Sequence, residues 1–249
     1  MTVLHADAEL ERTRAVTEVD RVSIIVPVYN EIRIIRAVID RLLTIDLPVE
    51  REILIVDDGS TDGTREVLAR AEADGIRATI LLAERNGGKG SAIRRGLARA
   101  TGTIVAIQDA DLELDPQQIA TLLGPIIRRE AVVVYGSRFL RGRSGAPVLS
   151  VVANRALTAL TNLLFRSSLT DMETCYKVMR TDVARSLRLS ANRFDIEPEI
   201  TARLLRAGHR IAELPVRFDP RSRAQGKKIG WRDGVRAIQV LVAERFSQS

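Results

Sequence analysis

Four short apolar runs, each followed by polar residues and then by a helical pattern, constrain the fold more than any other feature of this sequence. The runs cover residues 22–28, 52–56, 78–82 and 103–107. Short β-branched strands that alternate with amphipathic helices are typical of right-handed βαβ crossovers, which build a parallel sheet with helices on both faces. We therefore predict an α/β fold with a mainly parallel, Rossmann-like sheet, and 249 residues suffice for one such domain.

The remaining pattern extends this domain. A helix is predicted over 117–129, a strand over 132–135 and an alternating edge strand over 210–218. The amphipathic segment 151–165 is expected to pack against the core, with a membrane-facing surface as the alternative.

We predict three segments along the chain. Residues 1–20 are polar and aperiodic and form a flexible N-terminal segment, whereas residues 21–218 form the α/β domain. Residues 219–249 form a basic mobile loop and a C-terminal amphipathic helix, and they belong to the same domain.

Composition narrows the class of protein. The single cysteine, Cys175, excludes an internal disulfide and fits a reducing compartment. No uninterrupted apolar run approaches the roughly 18 to 20 residues that a membrane span needs. Charged residues interrupt the N-terminus where a signal peptide would be apolar, and we expect no C-terminal membrane anchor. These features predict a cytoplasmic protein, either free or peripheral on the inner face of the membrane.

The basic charge lies in the C-terminal quarter of the chain. From residue 201 onward eleven Lys or Arg oppose four acids, so residues 1–200 carry −1 although the whole chain carries +6. Aromatic residues make up only 4% and do not alternate with basic ones, which argues against a nucleic-acid partner that stacks its bases. An anionic phosphate, on a ligand or on a lipid, is the better-fitting partner.

Polar clusters follow the predicted strands, and the one after residues 103–107 carries Asp109, Asp111 and Glu113. Alternate residues of an extended backbone point to one side, so we expect these carboxylates to converge on a hard divalent cation. A solvated loop is the alternative for the carboxylates alone. Ligands of parallel sheets bind at the carboxyl ends of the strands, which predicts one site formed by all the clusters. Neither a Walker motif nor a dinucleotide glycine motif is present, so a metal would have to neutralise phosphate charge.

Seven motifs follow one another in order along residues 21–240. They are VPVYNE at 26–31, VDDGSTDGT at 56–64, NGGKG at 86–90, DADLE at 109–113, GSR at 136–138, DMETCYK at 171–177 and GKKIGWRDG at 226–234. Together they closely resemble the motifs of the family 2 inverting glycosyltransferases of GT-A fold. Within that family the sequence is most similar to the polyprenyl-phosphate (dolichyl-phosphate) mannosyl- and glucosyltransferases.

The resemblance implies metal-dependent transfer of a hexose from a nucleotide-diphosphate sugar, of GDP-mannose or UDP-glucose type, to a polyprenyl phosphate at the cytoplasmic membrane face. Residues matching the donor site are Pro27, Tyr29, Glu31, Val56, Asp58, Gly88, Asp109, Ala110, Arg138, Arg221, Lys227 and Lys228. Residues matching the catalytic groups are Asp109, Asp111, Arg138 and Asp171. Asp111 and Glu113 would hold Mg²⁺ or Mn²⁺, and Arg155 would bind the acceptor.

Departures from the family pattern leave the acceptor open. Glu113 stands where relatives often have Gln, and Arg223 and Gln225 stand where relatives tend to have an aromatic residue and Glu. A phosphate acceptor needs no general base, whereas the hydroxyl acceptor of a soluble family member would need Asp171 or Glu173 in that role. A non-enzymatic nucleotide-binding protein and a nucleotidyltransferase are further alternatives. The nucleobase, the sugar and a homo-oligomeric state stay open.

Overall fold

The computed structural model describes residues 21–140, 145–220 and 231–247, with only the backbone described for residues 231 and 232. Its strands are β1 (Arg21–Val28), β2 (Glu50–Asp57), β3 (Thr79–Leu82), β4 (Ile104–Ile107), β5 (Val133–Ser137), β6 (Lys177–Arg180) and β7 (Ala212–Pro215). Its helices are α1 (Ile35–Thr44), α2 (Thr64–Ala73), α3 (Lys89–Arg99), α4 (Ile119–Ile127), α5 (Val148–Phe165), α6 (Thr181–Ser186), α7 (Ile196–Arg206) and α8 (Trp231–Phe246).

A seven-stranded sheet organises these elements in the order β3-β2-β1-β4-β6-β5-β7. β1 pairs in parallel with β2 and with β4, β2 pairs in parallel with β3, and β5 pairs in parallel with β7. β6 runs antiparallel to both of its neighbours, β4 and β5. The prediction of an α/β fold with a mainly parallel sheet is confirmed, and the predicted edge strand corresponds to β7.

The sequence pattern does not predict β6 or α6. β6 is only four residues long and begins with Lys177, whose side chain is fully buried. A lysine before a short apolar run indicates the end of a polar loop rather than the start of a buried strand, because lysines are seldom buried unless they are paired. The charge partner that permits its burial comes from a distant helix, so local pattern gives no signal for this strand.

Two apolar layers cover the sheet, one on each face. Alternate strand residues such as Ile24 and Ile25 point to opposite faces, as expected for extended backbone. Helices α1, α2 and α4 pack on the first face, and α3, α6 and α7 pack on the second. A third cluster, around Met172, Ala202 and Leu241, joins α5, α7 and α8 beside the sheet. The polar strand ends therefore emerge at one rim of a layered core.

Helix α5 differs in part from the prediction. Among its residues only Thr158 and Thr161 are buried, whereas Val148, Leu149 and Leu163 are 75% to 79% exposed. The helix has 18 residues with a mean hydropathy of 1.5 and 11% of them buried, so it is the one described helix with the length and composition of a membrane span. Core packing is confirmed for one side of the helix, where Leu157, Leu160 and Leu164 pack partly buried against the third cluster. The other side is exposed and apolar, and Arg155 interrupts the apolar run within the span-length segment.

Candidate active site

Hydrogen bonds connect the turns that follow β1 and β2 at the rim of the sheet. Val28 lies beside Asp57 in the paired strands, and the amide of Asp58 donates to the carbonyl of Val28 at 2.8 Å. The side chain of Asn30 accepts from the amide of Thr61 at 2.8 Å. The cluster predicted to bind the nucleoside, which comprises Pro27, Tyr29, Glu31, Val56 and Asp58, thus comes from two adjacent strand ends. Its role in binding stays a prediction.

Two neighbouring aspartates in this cluster have different partners. Asp57 is fully buried and accepts from the Arg65 guanidinium at 2.7 Å and from the amides of its own turn. Asp58 accepts from the amides of Gly87 and Gly88, at 3.0 and 2.6 Å. Burial raises the pKa of Asp58 above its usual range although these two hydrogen bonds act in the opposite direction. Asp58 therefore ties the second motif to the third.

Gly88 is required by the fold at its position. Its φ is +93°, and a Cβ atom there would lie 2.4 Å from the carbonyl oxygen of Asn192. Side chains other than hydrogen are disfavoured both by that backbone conformation and by the close approach. Packing against the segment that precedes α7 is sufficient to explain why residue 88 is a glycine. Its predicted contact with a nucleotide stays a prediction.

The carboxylate of Asp109 is paired with a lysine. Lys89 Nζ lies 2.7 Å from Asp109 Oδ1 and 3.0 Å from Oδ2. Across the described ranges, no three carboxylate, histidine or cysteine side chains are grouped to hold a metal. The expected convergence of Asp109, Asp111 and Glu113 on one cation is therefore not seen among the described residues, where the Asp109 carboxylate is paired with Lys89 instead. Ala110, beside it, is 4% exposed and belongs to the core.

Asp111 and Glu113 remain the residues that fit a divalent metal. Both are half-buried in the loop after β4, and Asp111 Oδ1 accepts from the amide of Glu113 at 3.1 Å. Two carboxylates on one short loop supply the oxygen ligands that Mg²⁺ and Mn²⁺ prefer, with phosphate oxygens and water for the remaining positions. The carbonyl of Glu113 also accepts from the amide of Asp219 at 2.8 Å. Arg221, Lys227 and Lys228 lie outside the described residues.

Arg138 and Asp171 form a bidentate ion pair at the end of β5. Arg138 Nε and Nη2 each lie 2.7 Å from a different oxygen of Asp171, and the two side chains are 17% and 0% exposed. Burial alone would lower the pKa of Arg138, but the carboxylate of Asp171 outweighs burial and raises it. Nη1 has no hydrogen-bond partner within the described ranges. Asp171 is therefore committed to Arg138, and its role as a base stays a prediction.

An aromatic bracket surrounds Arg138. Its guanidinium carbon lies 5.7 Å from the ring centre of Phe139 and 5.3 Å from that of Phe218. Arg155, on α5, faces the same Phe139 ring at 5.6 Å. Arg138, Phe218, Leu112 and Glu113 line an open groove of about 890 Å³. The groove is thus lined by both Arg138, the predicted phosphate-binding arginine, and Glu113, a predicted metal ligand. Arg155 is close by, because it contacts the same Phe139 ring as Arg138.

Glu173 is an unusual carboxyl group in this region. Its Oε1 is buried without a hydrogen-bond partner among the described residues. Burial raises the pKa of Glu173 to about 7, with attraction from Lys177 and Arg138 opposing the rise and repulsion from Glu197 and Asp171 adding to it. A group with this pKa is able to take up or release a proton near neutrality.

A buried chain of charges extends from Asp109, and sequence reasoning did not find it. Lys89 Nζ lies 2.8 Å from Glu197 Oε1, and Lys177 Nζ lies 2.5 Å from Glu197 Oε2. Burial alone would raise the pKa of Glu197, but the two lysines outweigh it and hold that pKa below its usual range. Burial would likewise lower the pKa of Lys89, yet Asp109 and Glu197 hold it well above its usual range. The one available sequence signal is two acids inside the apolar start of α7.

Comparison with known proteins assigns the chain to a family. The model of the glycosyl transferase family 2 matches residues 23–188, which is more than half of the chain. Glycosyltransferase AglD of Haloferax volcanii is 30% identical over 208 residues, a region that is 80% of this chain but only 33% of that protein. The chain therefore spans about a third of that relative.

Two further likenesses cover more of both chains. The undecaprenyl-phosphate mannosyltransferase of Micrococcus luteus is 30% identical over 229 residues, which are 88% of this chain and 92% of that enzyme. The structure of glucosyl-3-phosphoglycerate synthase from Mycobacterium tuberculosis, in complex with Mn²⁺, UDP and glucosyl-3-phosphoglycerate, superposes with a TM-score of 0.68 at 22% identity, covering 93% and 81% of the two chains. This likeness confirms the expected GT-A architecture.

Proposed function

The chain belongs to glycosyl transferase family 2, and from this premise we propose that it transfers a hexose from a nucleotide-diphosphate sugar to a polyprenyl phosphate, with a divalent metal, at the inner face of the cytoplasmic membrane. The donor would be of GDP-mannose or UDP-glucose type, and the product would have the inverted configuration at the anomeric carbon. That the chain is a glycosyltransferase follows from the family itself.

One observation carries the choice of a phosphate acceptor. Arg138 is 17% exposed, lies between the rings of Phe139 and Phe218, is held by Asp171 through Nε and Nη2, and lines the groove. A guanidinium fixed in this way is suited to a phosphate oxygen through a charge-assisted hydrogen bond. Arg155 on the neighbouring helix supplies a second positive charge at the same aromatic ring.

The exposed face of α5 supports an acceptor with a lipid tail. Val148, Val152 and Leu163 are exposed on the same helix that carries Arg155. An apolar helix face with an arginine at its border fits the boundary between lipid tails and head groups. A polyprenyl phosphate delivered there would present its phosphate to Arg155 and then to Arg138.

On the donor side, Asp111 and Glu113 would hold Mg²⁺ or Mn²⁺. The bound metal would neutralise charge that develops on the departing nucleoside diphosphate, a contribution of several kcal/mol in comparable sites. Tyr29, Asp58 and the other residues of the β1 and β2 ends would hold the nucleoside. Positive charge from Arg221, Lys227 and Lys228 would add to the neutralisation of the diphosphate.

The reaction itself is a single displacement. An oxygen of the acceptor phosphate forms a bond to the anomeric carbon while the bond from that carbon to the diphosphate oxygen breaks, and the electron pair leaves with the nucleoside diphosphate. The acceptor phosphate is already ionised at neutral pH, so no side chain has to remove a proton. Arg138 and Arg155 orient the nucleophile, and Asp171 keeps Arg138 in position.

The test is turnover by the purified chain. UDP-glucose and GDP-mannose are each supplied with Mn²⁺ or Mg²⁺ and with short-chain polyprenyl phosphate in detergent, and nucleoside diphosphate and glycolipid are measured. We expect one donor to give equimolar glycolipid and nucleoside diphosphate, and chelation of the metal to stop the reaction. Binding of neither UDP nor GDP by the folded protein, with metal present, would refute the proposed donor site.

A hydroxyl acceptor is the second candidate, and Glu173 favours it. A buried carboxyl with a pKa of about 7 is suited to accept the proton of a sugar or glycerol hydroxyl. The activity of the variant Glu173→Gln distinguishes a hydroxyl acceptor from a phosphate acceptor. Loss of transfer by at least a hundredfold, with nucleotide binding unchanged, would favour the hydroxyl acceptor, because a phosphate acceptor does not need the base.

A further inference from the structure

We infer that Glu197 is a positioning residue, which fixes the carboxylate of Asp109 through Lys89 and couples it, through Lys177, to the turn that holds Arg138. The inference rests on the proposed function, since it takes the β4 end as the donor side of the site. It concerns three side chains, Lys89, Glu197 and Lys177, to which neither the motifs nor the proposed mechanism gives a role.

The first step of the argument is the alternation of charge. The order along the chain of contacts is Asp109, Lys89, Glu197 and Lys177. Lys89 and Glu197 therefore each lie between two charges of opposite sign, whereas Asp109 and Lys177, at the ends, each have one such partner. Lys89 is 11% exposed and Lys177 and Glu197 are 0% and 4% exposed as side chains. Buried charges of this kind persist only when each is paired, and removal of a central member leaves its neighbours uncompensated.

The second step is that the chain of contacts links the loop after β4 to the turn that begins at Asp171. Lys177 Nζ donates to the carbonyl of Met172 at 3.1 Å and to that of Thr174. These carbonyls flank the turn that begins at Asp171, and Asp171 in turn holds Arg138. Glu197 therefore lies between Asp109, in the loop after β4, and the turn whose Asp171 orients Arg138.

The third step is that Glu197 has a matched neighbour without this connection. Glu199 lies on the same first turn of α7 and is equally buried, with 2% exposure against 3%. Its carboxylate accepts from Ser190 and Ala191 and pairs with Arg203 at 2.8 Å. None of these partners contacts Asp109, although Ala191 packs against Gly90 at the start of α3. Glu199 therefore supports the same region by packing of comparable weight, but it has no charge contact with Lys89.

The experiment compares Glu197→Gln with Glu199→Gln in the full chain. Dissociation constants of UDP and GDP with Mn²⁺ are measured by calorimetry well below the melting temperature of each variant. We expect Glu197→Gln to weaken binding of the nucleotide that the wild type prefers by at least about tenfold, or roughly 1.4 kcal/mol. Glu199→Gln is expected to lower thermal stability while its nucleotide affinity stays within about twofold of the wild type. A purely structural role of Glu197 would give both variants the same pattern.

Equal nucleotide affinity of the two folded variants would overturn the inference and leave the proposed function intact. Absence of nucleotide binding by the wild type would instead refute the proposed function and the inference with it. If Glu197→Gln does not fold, the double variant Glu197→Gln with Lys177→Met replaces it, because that change removes both charges of one buried pair and leaves less uncompensated charge. The same tenfold loss is expected, and its absence would again overturn the inference.

Discussion

Buried acids at the site differ in charge because their neighbours differ. Glu197 lies between two lysines, which hold its pKa below the usual range, whereas burial raises the pKa of Glu173 to about 7. The two cations that act on Glu173, Lys177 and Arg138, are each already paired with another carboxylate, that of Glu197 and that of Asp171. An ionised Glu173 adds one unbalanced negative charge to this region.

This imbalance predicts how stability depends on pH. The pKa of Glu173 is raised from its unfolded value near 4.3 to about 7, so the folded state binds more protons across that window. Its contribution to the free energy of unfolding is therefore complete at low pH and is lost as the pH rises through about 7. We expect the free energy of unfolding of Glu173→Gln, minus that of the wild type, to increase by about 2 kcal/mol when the pH is raised from 5 to 8. Urea denaturation at the two pH values measures this difference.

The exposed Glu84 supplies the control for this measurement. Glu84→Gln should follow the pH dependence of the wild type throughout. A Glu173→Gln variant that runs parallel to the wild type from pH 5 to pH 8 would contradict a neutral Glu173 in the folded state.

Asp171→Asn is expected to destabilise the fold by about 3 kcal/mol, since it leaves the Arg138 guanidinium buried without a counter-charge. Urea denaturation at neutral pH measures this change. The pair of Arg128 and Glu130 has the same bidentate geometry, with both contacts at 2.8 Å, but its side chains are 60% and 57% exposed. Glu130→Gln should therefore have no measurable effect, and equal losses in both variants would contradict the role of burial.

At the scale of residues, the sequence predicted where the site lies better than what its side chains contact. Tyr29, Asp58 and Asp109 follow strands, and position along a strand is sufficient to place them at one rim. Lys89 pairs with both Asp109 and Glu197, and this arrangement depends on how α3 and α7 pack together, which no local pattern encodes. For that reason the expected cluster of three carboxylates is absent among the described residues.

At the scale of elements, close packing of α3 on β1 makes a specific glycine necessary. A Cβ atom at Gly96 would lie 2.4 Å from Ile25 Cγ2. Alanine normally stabilises a helix relative to glycine, but overpacking is expected to reverse the sign here and cost about 1 to 3 kcal/mol.

Gly124, in α4, is the matched control for Gly96, because its nearest contact is the mobile end of Arg128 at 3.0 Å. Gly124→Ala should leave the free energy of unfolding unchanged or slightly higher, whereas Gly96→Ala should lower it. Thermal and urea denaturation of both variants check this, and a stabilising Gly96→Ala would show that α3 is free to shift away from the sheet.

The exposed face of α5 gives the second prediction at this scale. Val152→Glu should reduce binding to anionic lipid vesicles several-fold, because it places a charge in the face proposed to enter the lipid boundary. Leu82→Glu makes a similar change at similar exposure, 54% against 58%, on the edge strand β3. Sedimentation with vesicles should show normal binding for that control, and equal losses for the two variants would argue against a specific membrane face.

Helices and strands were predicted correctly where the hydrophobic periodicity was strong. They were missed where contacts with distant parts of the chain determine the structure. The strands of the first half and the long helices follow from alternating or helical patterns. β6 did not, since a buried lysine starts it. α5 was recognised as an amphipathic segment, and its inner face does pack on the core through Leu157, Leu160 and Leu164. The extent of its exposed apolar face depends on which elements cover it, which local pattern does not encode.

At the scale of the whole molecule, the net charge of +6 would add a long-range electrostatic attraction to the proposed membrane contact. Binding to anionic vesicles should fall steeply between about 50 and 500 mM salt, as the Debye length shortens from more than 10 Å to less than 5 Å. Neutral vesicles should bind more weakly and show little salt dependence, since only apolar burial remains. Equal binding to both vesicle types at low salt would mean that charge has no part in the association.

The antiparallel strand β6 also dictates the sequence of events in folding. β3, β2, β1 and β4 are contiguous in the sheet and come from the first half of the chain, so they can pair as that half is synthesised. β5 borders only β6 and β7, both of which follow it in the sequence. The rim formed by the ends of β1, β2 and β4, where we propose that the nucleoside binds, is thus able to assemble early. Arg138, at the end of β5, reaches its final position only after later residues have been translated. Nascent chains that end before β6 would present a half-built sheet with β4 as an open edge, the form in which this protein is most exposed to misassembly.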